Sequence, residues 1–126
     1  CWLLASPQAE ASEKYRNLRQ WLVEANVVVH PLSVGDVNQA EQSYRAIREA
    51  IGEARLLRGG TPLIVDITSG TKSMTAGAIL ACYEERTTVQ FLPAPYTAAG
   101  APVTATNAVQ EPIAIMLRQT SGEEIV

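Results

Sequence analysis

Residues 66–74 carry the side chains whose types and spacing best suit a chemical role, in the order Asp-Ile-Thr-Ser-Gly-Thr-Lys-Ser-Met. They join an apolar run to a segment with helical spacing, so several backbone N–H groups lie at the predicted start of a helix. Such groups have no partner within the helix and stand at the positive end of its dipole. Hydroxyl side chains and Lys72 add hydrogen-bond donors and a positive charge, and Gly70 permits a tight turn. This combination predicts an anion site that suits phosphate.

The segment differs from two well-defined nucleotide-binding motifs. Walker A requires G-x-x-x-x-G-K-[ST], whereas Thr71 separates Gly70 from Lys72 and position 66 is Asp. No G-x-G-x-x-G sequence follows a predicted strand, so neither nucleoside triphosphate hydrolysis nor nicotinamide binding gains support. A purely structural alternative stays open, in which Thr68 or Ser69 caps the helix and Lys72 is solvated.

Alternating strand and helix patterns must position this segment. Asp36 and Gln39 fit a capping box at the start of the second predicted helix. Pro and Gly residues interrupt the chain beyond position 93, where two further strands are expected at 103–106 and 113–117, as a hairpin. Apolar or β-branched runs predict strands at 1–5, 27–30, 62–67 and 88–92, and helical spacing predicts helices over 7–24, 37–58 and 71–86.

These elements predict one α/β domain over residues 1–126. The expected architecture is a Rossmann-like three-layer sandwich with a mainly parallel sheet and a C-terminal hairpin. Ligands of such sheets bind at the carboxyl ends of the strands, near the point where the strand order reverses. The loops to inspect are therefore 6–12, 33–38, 68–74 and 93–100.

Composition limits the functions that fit the chain. Its 126 residues carry a net charge of −3 with ten Lys and Arg residues, which does not suit a duplex nucleic acid partner. His30 is the single histidine, and Cys1 and Cys82 form no CxxC pair, so no metal site, no cofactor and no histidine-based triad is expected. Both thiols are predicted to be buried and inert. We expect no membrane-spanning segment, a cytoplasmic location, and a domain that belongs to a longer effector protein.

The string D-I-T-S-G-T-K-S-M resembles the D-x-T-G-G-T-K-x-M motif of CARF domains, the CRISPR-associated Rossmann folds. Ser69 stands where that family often has its first glycine. The resemblance is specific over about ten residues, and over the rest of the chain it concerns only the order of the elements. It implies a homodimer that binds a cyclic oligoadenylate, the second messenger of type III CRISPR defence, and thereby controls an attached effector.

The resemblance also implies which residues touch the ligand. No catalytic residue is assigned. Tyr96 is added on chemical grounds, because an adenine could stack on its ring. Cyclic tetra-adenylate is favoured because its two-fold symmetry would match that of a dimer. The implied ligand contacts are Thr68, Ser69, Gly70, Thr71, Lys72 and Met74 in the motif, with Ser6, Pro7 and Gln8 in the loop after the first strand.

Two alternatives to a sensor remain open. One is a ring nuclease that cleaves the cyclic messenger without a metal, by orienting a 2′-hydroxyl and stabilising the phosphate. The other is a Rossmann-like module that binds a different phosphorylated metabolite. With this second alternative we group an interaction domain that binds no small ligand.

Overall fold

The fold of the chain is mixed α/β, as the sequence predicts. The computed structural model describes residues 1–93 and 111–116. Tyr96 and the strand predicted at 103–106 lie outside the described residues. In chain order the elements are β1 (Trp2–Ala5), α1 (Pro7–Glu10), α2 (Glu13–Glu24), β2 (His30–Ser33), α3 (Ala40–Arg58), β3 (Ile64–Asp66), α4 (Lys72–Glu84), β4 (Thr88–Phe91) and β5 (Ile113–Met116).

The described strands form two small sheets. In the first sheet β1 pairs with β2 in parallel. In the second, β3 pairs with β4 in parallel and β5 is antiparallel to β4, which places Asp66 directly opposite Gln90. The pairing is mainly parallel, as predicted. No ladder among residues 1–93 and 111–116 joins β1 to β3, so the single continuous sheet of the prediction is not observed.

Helices α3 and α4 pack tightly against each other and form the centre of the core. The buried residues Ile47, Ile51 and Ala54 of α3 recur at helical spacing and confirm the predicted stripe. On α4, Gly77 approaches α3 so closely that a Cβ there would lie 2.4 Å from the carbonyl oxygen of Ala40. The remaining buried core members are Ala78, Ala81 and Cys82 of α4 and Val89 of β4, against which Leu4, Leu63, Val65 and Ile67 pack.

Two predictions at helix boundaries are wrong, each because of a local hydrogen bond. The helix expected over 7–24 is divided, since the Ser12 hydroxyl accepts the Tyr15 N–H (3.2 Å) and starts α2 anew. The expected capping box does not form, because Asp36 accepts the Asn38 N–H (2.9 Å) in a turn and α3 begins only at Ala40. Short polar side chains compete with helix formation in this way.

Two further predictions near the amino terminus also need correction. The strand expected from 27 starts at His30, because the Val27 N–H bonds to the Leu22 carbonyl (2.9 Å) and completes the end of α2. Asn26 reverses the chain there with a φ of 59°. Cys1 was predicted to be buried but is exposed, since it precedes the first paired residue of β1. In the described part of the chain, no helix has the length and apolarity needed to cross a bilayer.

Candidate functional site

Thr71, which the resemblance assigns to ligand binding, caps the amino-terminal end of α4. Its backbone is extended, and its Oγ1 accepts the N–H of Met74 (3.1 Å), as a helix-capping residue does. The same hydroxyl donates to the carbonyl oxygen of Val37 (2.6 Å), in the loop between β2 and α3. Thr71 therefore fixes the helix start to a neighbouring loop, and its hydroxyl proton is already used within the protein.

Three side-chain hydrogen bonds hold the turn before α4, and two of them tie it to Gln90 of β4 and to Leu92 just beyond that strand. Asp66 accepts the backbone N–H of Thr68 through Oδ1 (2.9 Å) and the side-chain Nε2 of Gln90 through Oδ2 (3.0 Å). The Oγ1 of Thr68 accepts the backbone N–H of Leu92 (2.9 Å), just beyond β4. The sequence patterns did not predict a role for Gln90 or Leu92. A polar residue inside the apolar run Thr88–Leu92 was the available signal for Gln90.

Gly70 takes a backbone conformation that other residues rarely adopt, with a φ of 116°. A Cβ at this position would also approach the Sδ of Met74 at 3.4 Å. Ser69 and Lys72 are exposed, and neither makes a side-chain hydrogen bond or an ion pair within residues 1–93 and 111–116. Among the described residues, the turn thus has a hydroxyl and an ammonium group without a partner beside the first N–H groups of α4.

The loop after β1 contributes a second set of polar groups. The Oγ of Ser6 accepts the N–H of Ala9 (3.1 Å), while its own proton has no acceptor among the described residues. Ser6 is only 8% exposed, so this donor belongs to a buried side chain. Pro7 occupies the first position of α1, and Gln8 is exposed on that four-residue helix.

The loop after β1 and the turn before α4 meet at one cleft of about 910 Å³. Ser6, Ser69, Gly70, Thr71 and Met74 line it, whereas Pro7, Gln8, Thr68 and Lys72 do not. Lys72 directly follows the lining residue Thr71 in the sequence. The other walls are mainly apolar and come from β1, β2, α2, α3 and β3 with the residue before it, including Leu4, Tyr15, Leu18, Leu32, Ile47, Ile51, Leu63 and Val65.

Strands β1 and β3 both line this cleft without pairing. At the two ends of β1, the carbonyls of Cys1 and Ala5 accept the N–H groups of His30 and Val34. The alternate residues Trp2 and Leu4 therefore direct their backbone groups away from β2. In β3 the N–H of Ile67 bonds to Gln90 of β4, which leaves the backbone groups of Asp66 on the opposite edge. The cleft is consequently bordered by strand edges as well as by polar loops.

The surroundings shift the pKa of Asp66, which lines the cleft, and of Cys82, which lies in the core, in opposite directions. Burial alone would raise the pKa of the Asp66 carboxyl, but hydrogen bonds from the Thr68 backbone, Gln90 and the Thr68 hydroxyl outweigh it and lower that pKa. Asp66 is therefore an anion at neutral pH. Burial raises the pKa of the Cys82 thiol to about 11, which keeps it protonated and unreactive.

The cleft offers binding groups and little that resembles an acid–base pair. His30 stacks on Trp2 with ring centroids 4.5 Å apart, and it does not line the cleft. Within the described ranges, no group of three His, Cys, Asp or Glu residues is arranged to hold a metal ion. The geometry is that of a polar rim above apolar walls. Such a rim can bind the phosphate or hydroxyl groups of a ligand.

Comparisons with known proteins do not point to a family. No family model matches the chain, and no curated protein is significantly similar to it. The geometry of the cleft and the residues of the motif are therefore the grounds on which a function can be argued.

Proposed function

We propose that the chain is a ligand-sensing domain of the CARF type, which binds a cyclic oligoadenylate between two copies of itself. On this proposal, binding controls an effector attached to the domain in type III CRISPR defence. Cyclic tetra-adenylate is the favoured ring. The support comes from the motif at 66–74 and from the cleft that residues of this motif line together with the loop after β1.

The observation that carries the proposal is the convergence of both predicted ligand loops on one cleft. Ser6 and Ser69 come from different strand ends, yet both line it. We propose that the two small sheets are halves of one Rossmann-like sheet in the order β2-β1-β3-β4-β5. The carboxyl ends of β1 and β3, next to Ser6 and Ser69, then lie at the point where the strand order reverses, which is the usual ligand site of such sheets.

The chemistry of the rim suits a compact polyanion. Lys72 has no competing partner among the described residues, and the first N–H groups of α4 lie beside it. The hydroxyl protons of Ser6 and Ser69 are also without acceptors there. In a two-fold dimer each of these groups occurs twice, which matches the repeated phosphates of a cyclic tetra-adenylate. The walls below the rim of the cleft are apolar, so we expect the ring to lie across the rim.

A calorimetric titration tests this proposal directly. The purified chain is titrated with cyclic tri-, tetra- and hexa-adenylate, and with linear tetra-adenylate as the control. We expect one ring to bind per two chains, with much weaker binding of the linear form. An absence of heat with every ring would contradict the proposal. Chromatography of the ligand afterwards separates a sensor, which returns an intact ring, from a ring nuclease, which returns a linear product.

A second candidate function rests on the size of the cleft. Its volume of about 910 Å³ lies within one chain and is typical of small-molecule sites. A phosphorylated metabolite with an apolar portion would fill both the rim and the deeper walls. Binding of a mononucleotide at one per chain, with no response to the rings, would favour this candidate.

A further inference from the structure

Gln90 lies at the position of β4 that faces the first residue of the motif. It is directly opposite Asp66 in the parallel ladder, so the two side chains project from the same face of the sheet. Its Nε2 donates to Oδ2 of Asp66 at 3.0 Å. Thr88 lies on the same face of β4 two residues earlier, where it stands opposite Ile64. Gln90 is therefore the β4 side chain aligned with the motif.

Within the described part of the chain, hydrogen bonds and no ion pair stabilise the negative charge of Asp66. None of the ion pairs of residues 1–93 and 111–116 involves this carboxylate. One oxygen accepts the Thr68 N–H and the other accepts Gln90, so both are used. A carboxylate held by donors on both oxygens has one orientation, and that orientation fixes the backbone of Thr68. Removing either donor frees the carboxylate beside a predicted anion site.

The turn is tied to β4 a second time, by the bond from the Leu92 N–H to the Thr68 hydroxyl. Together the two bonds hold residues 66 and 68 against 90 and 92. The next residues, Ser69 and Gly70, are those that line the cleft. Their positions, and the unusual φ of Gly70, are consequently set by contacts with β4 as well as by the turn itself.

We infer that Gln90 is a positioning residue for the ligand-binding turn, acting through Asp66 and Thr68, and that it couples the turn to β4. A ligand that moves the turn must alter these two bonds. The strand that leads towards the remaining carboxyl-terminal part of the chain would thus sense whether the cleft is occupied. The role in ligand binding rests on the proposed function, whereas the bracing of the turn does not.

The decisive experiment exchanges the acceptor and the donor. Gln90→Glu sets two carboxylates against each other, and Asp66→Asn added to it restores a donor–acceptor pair with the same total charge. Thr88→Glu is the matched control, because it adds the same charge to the same face of β4 without facing Asp66. Gln90→Ala removes the donor without adding charge and serves if Gln90→Glu does not fold.

Two readouts separate the inference from the proposed function. Amide hydrogen exchange of Thr68 and Leu92 can be measured without a ligand, and we expect Gln90→Glu to accelerate it about tenfold. The double variant should return the exchange rate to within about twofold of the wild-type rate. Thr88→Glu should leave the rate unchanged. The dissociation constant for cyclic tetra-adenylate should follow the same order. Unchanged exchange in Gln90→Glu and Gln90→Ala, or a double variant no better than Gln90→Glu, would overturn the inference. If exchange responds as expected but the wild type binds no ring, the proposed function fails and the positioning role of Gln90 stands.

Discussion

At the scale of single residues, the hydroxyl groups of the motif differ in whether they already form hydrogen bonds within the described part of the protein. The proton of Thr71 is given to Val37, and its oxygen caps α4. The oxygen of Thr68 accepts the Leu92 N–H, while Ser69 makes no side-chain hydrogen bond within the described residues. Ser69 is therefore better placed than Thr71 to donate to a ligand. The resemblance, which treats these positions alike, does not distinguish them.

Lys72 provides the clearest test of a charge at the rim. We expect Lys72→Ala to weaken binding of cyclic tetra-adenylate by about 1–3 kcal/mol, since a charge-assisted contact is lost. Thermal unfolding should change little, because the side chain is exposed and has no partner in the described part of the protein. Lys14→Ala is the matched control, since Lys14 is the other lysine of the sequence, is exposed on α2 and does not line the cleft. Equal affinities for both variants would remove Lys72 from the site.

Gly70 tests whether the geometry of the turn matters. Gly70→Ala places a Cβ on a residue with a φ of 116°, which we expect to cost about 1–3 kcal/mol of unfolding free energy. The control is Gly60→Ala, where no atom lies within 4 Å of the new Cβ and φ is not in the left-handed region. Urea unfolding followed by circular dichroism measures both variants. Equal stability of the two would mean that the turn tolerates a side chain.

At the scale of secondary-structure elements, prediction succeeds where one residue pattern decides the outcome. The apolar stripe of α3 is long enough to determine both its type and its buried face, and Ile47, Ile51 and Ala54 are buried as expected. Boundaries are harder, because a single side chain decides them. Asp36 forms a turn instead of a cap, and Asn26 ends α2 in a way that removes Val27 from the following strand.

The candidate site shows the same limit. Its sequence-local part, the turn at Gly70 and the capped start of α4, follows from residue types that favour those structures. Its other part consists of contacts between residues far apart in the chain. Thr71 meets Val37 and Asp66 meets Gln90 only because the strands align in a particular register. No local pattern encodes that register, so these partners could not be predicted.

The contact between α3 and α4 depends on a missing side chain. Gly77→Ala would bring a Cβ to 2.4 Å from the Ala40 carbonyl oxygen and 2.8 Å from the Tyr44 nitrogen, so the helices must separate. We expect a loss of about 1–3 kcal/mol in the free energy of unfolding. Gly52→Ala is the control within α3, since its Cβ meets nothing within 4 Å and alanine favours helix by about 0.5–1 kcal/mol. Chemical denaturation should give opposite signs for the two variants, and a stabilising Gly77→Ala would contradict the close packing.

At the scale of the whole molecule, α4 connects the site to a surface. Its first residue, Lys72, directly follows Thr71 of the cleft wall, and one side of the helix packs on α3. The opposite side is apolar and uncovered within residues 1–93 and 111–116, with Ile79 at 41%, Leu80 at 50% and Tyr83 at 39% exposed. A helix without charge between Ser73 and Tyr83 is typical of one that is covered on all sides. We expect a second copy of the chain to cover this side in the dimer of the proposed function.

Leu80→Glu tests whether this side of α4 joins two copies. We expect the wild-type chain to have twice its 13.6 kDa mass by light scattering with cyclic tetra-adenylate present, and Leu80→Glu to remain a monomer because a charge cannot be buried in an apolar contact. Leu56→Glu is the control, since Leu56 is 89% exposed at the far end of α3. A dimeric Leu80→Glu would mean that another face joins the two copies. A wild-type monomer with the ring bound would contradict a shared site. If Leu80→Glu loses both the dimer and the ring while Leu56→Glu keeps both, assembly and ligand binding are one equilibrium.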